Sequence, residues 1–100
     1  MPDLDVTRSI RAIESIKADL LVHLAGLYKD MSGFGRRADF EESFAQIVSE
    51  AYLLAAKLGV SYGGLDERAV SLLRLKLLEN PDSKGDAGAL ISHLSGRKEP

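Results

Sequence analysis

Apolar residues in the first third of the chain recur at intervals of three and four residues, as they do along one face of an α-helix. The pattern predicts a helix over residues 6–31, with Asp5 or Thr7 capping its start and the segment 32–35 (S-G-F-G) ending it. Because average helices have about 11–12 residues, a break within residues 16–19 is also allowed for. The apolar positions are Ile10, Ile13, Ile16, Leu20, Leu24, Leu27 and Met31.

A second amphipathic segment predicts a helix over residues 39–58. Asp39 is placed to cap its free amides, and Glu42 stands three residues later, as in a capping box. Gly59 follows the last periodic position and is expected to close the helix. The apolar positions are Phe40, Phe44, Ile47, Val48, Ala51, Leu54, Ala55 and Leu58.

The last third of the chain predicts a leucine-rich helix and a short one. Ser61 can cap a helix over residues 61–80, which Pro81 ends, and a small apolar stripe predicts a helix over residues 86–95 before a tail at 96–100. The leucines of the longer helix cover more than one of its faces, so it must be covered on more than one side. They are Leu65, Leu72, Leu73, Leu75, Leu77 and Leu78.

Composition agrees with one small all-α domain. The 100 residues are 45% hydrophobic with a formal charge of -2, which is typical of a folded domain and leaves no strongly charged surface. We therefore predict a single domain over residues 1–100, with three main helices and a short C-terminal helix. The excess apolar surface predicts that association, by default a homodimer or a higher homo-oligomer, completes the helical bundle.

Several functional classes are disfavoured. The chain has no cysteine, its first residues do not resemble a signal peptide, and no apolar run approaches the ~18 residues that span a bilayer, which predicts a cytoplasmic protein without membrane contact. A helix-turn-helix interpretation of L-G-V-S-Y-G-G-L-D-E-R-A-V conflicts with Asp66 and Glu67, which a phosphate backbone would repel. Nucleic acid is therefore not an expected partner.

The residues themselves do not assign a catalytic group. No nucleophile motif or phosphate-binding glycine loop is present, and the loop G-F-G-R-R joins two predicted helices. Carboxylates on neighbouring helices are the remaining route to chemistry, through Asp19 on the first helix and Glu42 and Glu50 on the second. A solvated helix face is the simpler explanation of these charges.

Two segments carry a family resemblance. The stretch E-A-Y-L-L-A-A-K-L-G-V-S-Y at 50–62 and, at the correct distance, L-L-R-L-K-L-L-E-N at 72–80 resemble the MazG-like all-α nucleoside triphosphate pyrophosphohydrolase superfamily, in particular a short MazG-like subgroup. The resemblance spans roughly residues 13–79. It implies a helical dimer or tetramer that binds Mg²⁺ through E-x-x-E on one helix and E-x-x-D on the next. The implied reaction is release of pyrophosphate and a nucleoside monophosphate from a nucleoside triphosphate.

The metal-binding positions that the resemblance implies are not acidic in this chain. The first pair falls on His23 and Gly26, and the second pair falls on Ser43 and Gln46. An imidazole, a missing side chain, a hydroxyl and an amide do not supply the negative charge that offsets dehydration of a hard cation. The four positions are instead expected to line a cleft between helices, with His23 satisfied by a neighbouring group.

Three functional hypotheses follow. The first is a non-catalytic, dimeric MazG-like module without a cofactor, whose cleft is kept for a nucleotide or another small ligand. The second is an active Mg²⁺-dependent pyrophosphohydrolase with a rebuilt site at Asp19, Glu42 and Glu50. The third is a partner-binding or regulatory helical module. In the second hypothesis the candidate cations for phosphate contacts are Arg36, Arg37, Arg74 or Lys76.

Overall fold

The structure, a computed structural model, describes residues 2–33, 35–80, 82 and 84–96. These residues form four α-helices and no strand, which confirms the predicted all-α class. Phe34, Pro81, Ser83 and most of the predicted tail lie outside the described residues. The helices are α1 (Pro2–Ser32), α2 (Arg37–Lys57), α3 (Tyr62–Glu79) and α4 (Lys84–Gly96).

Helix α1 is longer than the sequence pattern predicted. It begins at Pro2, and proline is well suited to the first turn because that turn's N–H groups have no partner inside the helix. Asp5 and Thr7, the expected caps, both lie within the helix, so that prediction was wrong. The helix also continues without a break through residues 16–19, because no glycine or proline interrupts its backbone ladder there.

Helix α2 begins two residues earlier than predicted and uses a different cap. Arg36 is the N-cap residue, and the Asp39 carboxylate accepts a hydrogen bond from the Arg36 backbone N–H at 3.3 Å. Asp39 is therefore the third residue of the helix and not its cap. At the other end Gly59 has φ +87°, a conformation that side chains disfavour, and it closes the helix as predicted.

Helices α3 and α4 pack against each other. The Ser61 hydroxyl caps α3 as predicted by accepting a hydrogen bond from the Gly64 N–H at 3.0 Å. Val70 is buried on α3, and Ala87 and Leu94 are buried on α4. These apolar contacts hold the second pair of helices together.

Contacts between residues divide the chain into two compact units, Met1–Gly59 and Val60–Pro100. The first contains the α1–α2 hairpin, and the second contains the α3–α4 hairpin. The single domain over residues 1–100 stays a prediction. Among the described residues no helix has both the length and the apolar content that a bilayer crossing requires.

Part of the apolar stripe of α1 packs against α2, and part of it remains exposed. Leu27 is only 4% exposed, and Ile13, Ile16 and Leu20 are partly buried, so these residues form the seam against α2. Three further members of the predicted stripe remain exposed, so the stripe is wider than the contact with α2. They are Ile10, Leu24 and Met31.

Replacement of Leu27 by alanine should destabilise the protein by about 2–5 kcal/mol, because it removes a buried side chain from the seam and leaves a cavity. Urea unfolding at fixed protein concentration measures this loss. Leu78→Ala is the matched control, since Leu78 is 81% exposed and should change the free energy of unfolding by no more than about 0.5 kcal/mol. Equal effects of the two substitutions would contradict the packing described for α1.

Candidate functional site

A polar pair joins the two helices of the first unit. His23 Nδ1 on α1 lies 2.9 Å from Oε1 and 2.7 Å from Oε2 of Glu50 on α2. The Glu50 side chain is 14% exposed and that of His23 is 30% exposed, so most of the contact is shielded from water. Glu50 is therefore the neighbouring group that satisfies His23.

The partner of Nδ1 fixes the chemistry of the imidazole. A carboxylate accepts hydrogen bonds, so the contact assigns the tautomer in which the His23 nitrogen facing Glu50 is the donor. Nε2 is then the ring nitrogen that does not face Glu50. A carboxylate hydrogen-bonded to one ring nitrogen fixes the orientation of the imidazole, as it does in many catalytic and metal-binding histidines.

The α1 seam has two different flanks. Consecutive helical residues are about 100° apart around the axis, so Gly26 and Tyr28 lie on opposite flanks of the buried Leu27. His23, which is three residues before Gly26, lies between the seam and the Gly26 flank. Leu24 lies between the seam and the Tyr28 flank.

Helix α2 repeats this division. Ile47 is partly buried in the seam, with Gln46 on one flank and the exposed Val48 on the other. Because α2 runs antiparallel to α1, the flank of Gln46 and the flank of Gly26 are on the same side of the hairpin. We call this the polar side, with residues His23, Gly26, Ser43, Gln46 and Glu50. The opposite, apolar side has residues Ile10, Leu21, Leu24, Tyr28, Met31, Phe44 and Val48.

The four positions at which the resemblance implies metal ligands lie near one another on the polar side. With His23 level with Glu50, the helical rise places Gly26, Gln46 and Ser43 within about 10 Å of that level along the hairpin. His23, Ser43 and Gln46 are partly buried, and Gly26 is exposed. That these positions line a ligand cleft stays a prediction.

Gly26 faces open space and not a core. A Cβ atom built on this residue would meet no atom within 4 Å. A side chain at this position would therefore extend over the polar side without displacing packed atoms. The absence of a carboxylate at Gly26 is a property of the sequence and not a steric requirement of the fold.

The residues of the alternative, rebuilt site are spread along the hairpin. Asp19 lies four residues before His23 on α1, and Glu42 lies eight residues before Glu50 on α2. Since the helices are antiparallel, these displacements point in opposite directions and separate the two residues by about 18 Å along the axis. Both are exposed, whereas Glu50 is already paired with His23.

The four expected phosphate contacts are also dispersed. Arg36 and Arg37 lie at the start of α2, about 20 Å along the axis from Glu50, and both are exposed. Arg74 and Lys76 are exposed residues of α3, in the second unit. Across the described part of the chain, no three His, Asp or Glu side chains form a group that could hold a metal ion.

The apolar side is wide and open. Leu21 is 68% exposed and Tyr28 is 67% exposed, and together with Leu24 and Ala25 they line a groove of about 420 Å³. Phe44 and Val48 on α2 are also about half exposed on the same side. Such a contiguous apolar surface is uncommon on a monomer and indicates a contact surface.

Comparison with known proteins agrees with this helical architecture. The model of the MazG-like family matches residues 6–90, and the chain therefore belongs to the MazG-like family. No curated protein and no solved structure gives a significant match. The sequence resemblance to this family is confirmed, and it extends further in both directions than residues 13–79.

The pairing of His23 with Glu50 was the feature that the sequence did not specify. The sequence predicts that His23 lines a cleft and is satisfied by a neighbouring group, and it lists Glu50 among the carboxylates of the second helix, but their opposition depends on the register between α1 and α2. The sequence feature that could have indicated this pairing is a polar residue at the edge of the apolar stripe of each helix. The periodicity of one helix cannot show which residue of the next helix lies opposite it.

A double-mutant cycle with His23→Ala and Glu50→Ala should give a coupling energy of about 0.5–3 kcal/mol, because the two side chains form a partly buried bond between helices. Urea unfolding of the four proteins measures it. The matched cycle uses Lys17 and Glu14, which form an exposed 2.9 Å pair within α1 and should couple by no more than about 0.5 kcal/mol. Similar coupling in both cycles would show that burial adds nothing to the His23–Glu50 pair.

Proposed function

We propose that this protein is a non-catalytic, dimeric member of the MazG-like family. In this proposal the nucleotide pyrophosphohydrolase fold is kept, the Mg²⁺-binding carboxylates are lost, and the polar side binds a small ligand. A nucleotide is the first candidate for that ligand because the family fold is built to hold one. We place the protein in the cytoplasm.

The His23–Glu50 bond is the observation that carries this proposal. His23 stands where the family resemblance implies the first metal-binding glutamate, and it pairs with the only partly buried acidic residue of α2 within the described residues. A hard cation such as Mg²⁺ needs several oxygen ligands with enough negative charge to offset its dehydration. Here one carboxylate is already bound to an imidazole, and Ser43 and Gln46 add no charge.

The apolar side supports the dimeric part of the proposal. Its exposed side chains come from both helices of the first unit and lie opposite the polar side. Two hairpins that meet through these surfaces would form a four-helix core, a common solution for helices with excess apolar surface. The polar sides of both copies would then remain open to ligands.

An active enzyme with a rebuilt site is the alternative. It requires Asp19, Glu42 and Glu50 to act on one metal ion, and the spread of these residues along the hairpin disfavours it. A partner-binding module is the second alternative, favoured by the exposed leucines of α3. Those residues are Leu72, Leu75 and Leu78.

The purified protein should release no pyrophosphate from any common nucleoside triphosphate in the presence of Mg²⁺, and calorimetry should detect no heat of Mg²⁺ binding. The reason is the missing carboxylate charge at the family's metal positions. The matched variant carries His23→Glu, Gly26→Glu, Ser43→Glu and Gln46→Asp together, and it should gain Mg²⁺ binding.

Pyrophosphate release by the natural sequence would overturn the non-catalytic proposal. If the fourfold variant folds, as circular dichroism would show, and still binds no Mg²⁺, the assignment of the family's metal positions to these residues is wrong.

Light scattering at micromolar protein concentration should give the mass of a dimer. The double variant Leu24→Glu/Tyr28→Glu should be monomeric, because it places charges in the centre of the apolar side. Val22→Glu is the control, since Val22 is 65% exposed on α1 but lies away from the apolar side. A monomeric natural protein would instead favour the partner-binding module.

A further inference from the structure

Helix α3 has apolar side chains on two opposite faces. Val70 is buried on the face that packs against α4. Leu72 and Leu75, which are 45% and 49% exposed, lie about 140–160° from Val70 around the helix axis. The contact with α4 therefore leaves a second apolar face of α3 in water.

Charged side chains mark both ends of this second face. Arg68 and Glu79 are exposed and lie about 160–180° from Val70, so they share the face with Leu72 and Leu75. Positions 68, 72, 75 and 79 follow one another at intervals of four, three and four residues, as the a and d positions of a coiled coil do. Neither charged residue takes part in a salt bridge among the described residues. We call these four residues the outer face of α3.

The outer face is complementary to its own reversed copy. The midpoint between Leu72 and Leu75 is also the midpoint between Arg68 and Glu79, and each charged residue lies about 8 Å from it along the axis. Two outer faces that meet antiparallel around this midpoint bring the leucines of both copies together and place the Arg68 of each copy level with the Glu79 of the other. A parallel arrangement would place like charges together, which costs free energy.

We propose that the outer face of α3 is a self-association surface, and that its partner is the outer face of a second copy in the antiparallel orientation. The leucines provide the apolar contact, and two symmetric Arg68–Glu79 pairs select the orientation. Because each copy contributes only two leucines, the interface is small, and we expect it to form well above micromolar protein concentration. The inference does not rest on the proposed function, since the apolar side of the α1–α2 hairpin is a different surface.

The Leu24→Glu/Tyr28→Glu variant isolates this contact, because it removes association through the apolar side. Sedimentation equilibrium of the full chain with these two substitutions should show monomers at micromolar concentration and dimers as the concentration approaches millimolar. Addition of Arg68→Glu or of Glu79→Arg should raise the dissociation constant of this dimer about tenfold or more, because either change places two pairs of like charges in the contact. Circular dichroism shows whether each variant is folded.

The matched control is Arg74→Glu, added to the same Leu24→Glu/Tyr28→Glu chain. Arg74 is also an exposed arginine of α3, but it lies about 40° from Val70 and so outside the outer face. Its reversal changes the net charge as Arg68→Glu does, and it should leave the dissociation constant unchanged.

A mixture of the two charge-reversed chains tests whether one outer face meets another. The Arg68→Glu chain has a glutamate at both ends of its outer face, and the Glu79→Arg chain has an arginine at both ends. Each chain therefore repels its own copies and attracts the other chain, so an equimolar mixture should form a heterodimer with an affinity close to that of the parent variant. The combined Arg68→Glu/Glu79→Arg chain should associate with itself again, because both antiparallel pairs are restored in reversed order.

Three results would overturn the proposal. The first is a Leu24→Glu/Tyr28→Glu chain that stays monomeric up to millimolar concentration, which would leave the outer face to another protein. The second is an Arg74→Glu effect as large as that of Arg68→Glu, and the third is a mixture that associates no better than its components. Failure of the proposed function is distinguishable, since it would appear as pyrophosphate release with Mg²⁺ or as a monomeric natural chain at micromolar concentration.

Discussion

The register between α1 and α2 is the constraint on which the site depends. Leu27 and its partly buried neighbours form a narrow apolar seam, and burial of these side chains holds the two helices antiparallel. With that register set, His23 lies opposite Glu50, and the four positions that the family resemblance implies lie on one side of the hairpin. A slip of one turn, about 5.4 Å, would separate the histidine from its carboxylate.

The same seam divides the hairpin into surfaces with different chemistry. One flank has a histidine, a carboxylate, an amide and an open glycine position, and the other has a continuous set of exposed apolar side chains. Exposure of a surface of the second kind to water costs free energy, and burial of that surface in an association would remove this cost. The polar side has the hydrogen-bonding groups that a polar ligand needs, and the charges of these groups restrict the ligands that it can bind.

Membership of the MazG-like family does not decide activity, because a fold can be kept after its metal ligands are lost. His23, Gly26, Ser43 and Gln46 could be read from the sequence as departures from the family's acidic pattern. The sequence could not predict whether these four residues form one site, because it does not give the distances between helices. Ile10 belongs to the same periodic stripe as the buried Leu27, but Ile10 is exposed in the structure. The sequence could not predict this difference, because periodicity predicts which face of a helix is apolar but not how much of that face is buried.

The sequence by itself determined the helical class, the family, the end of α2 at Gly59 and the start of α3 at Ser61. These features depend on local backbone preferences and on residue patterns. The prediction failed at the start of α1, which begins at Pro2 and includes the two residues expected to cap it, Asp5 and Thr7. Only the tertiary structure decided that Glu50 is the partner of His23 and that the polar and apolar residues lie on opposite sides of the hairpin. Both depend on how two helices meet, and contacts between residues far apart in the chain are not encoded in the period of either helix.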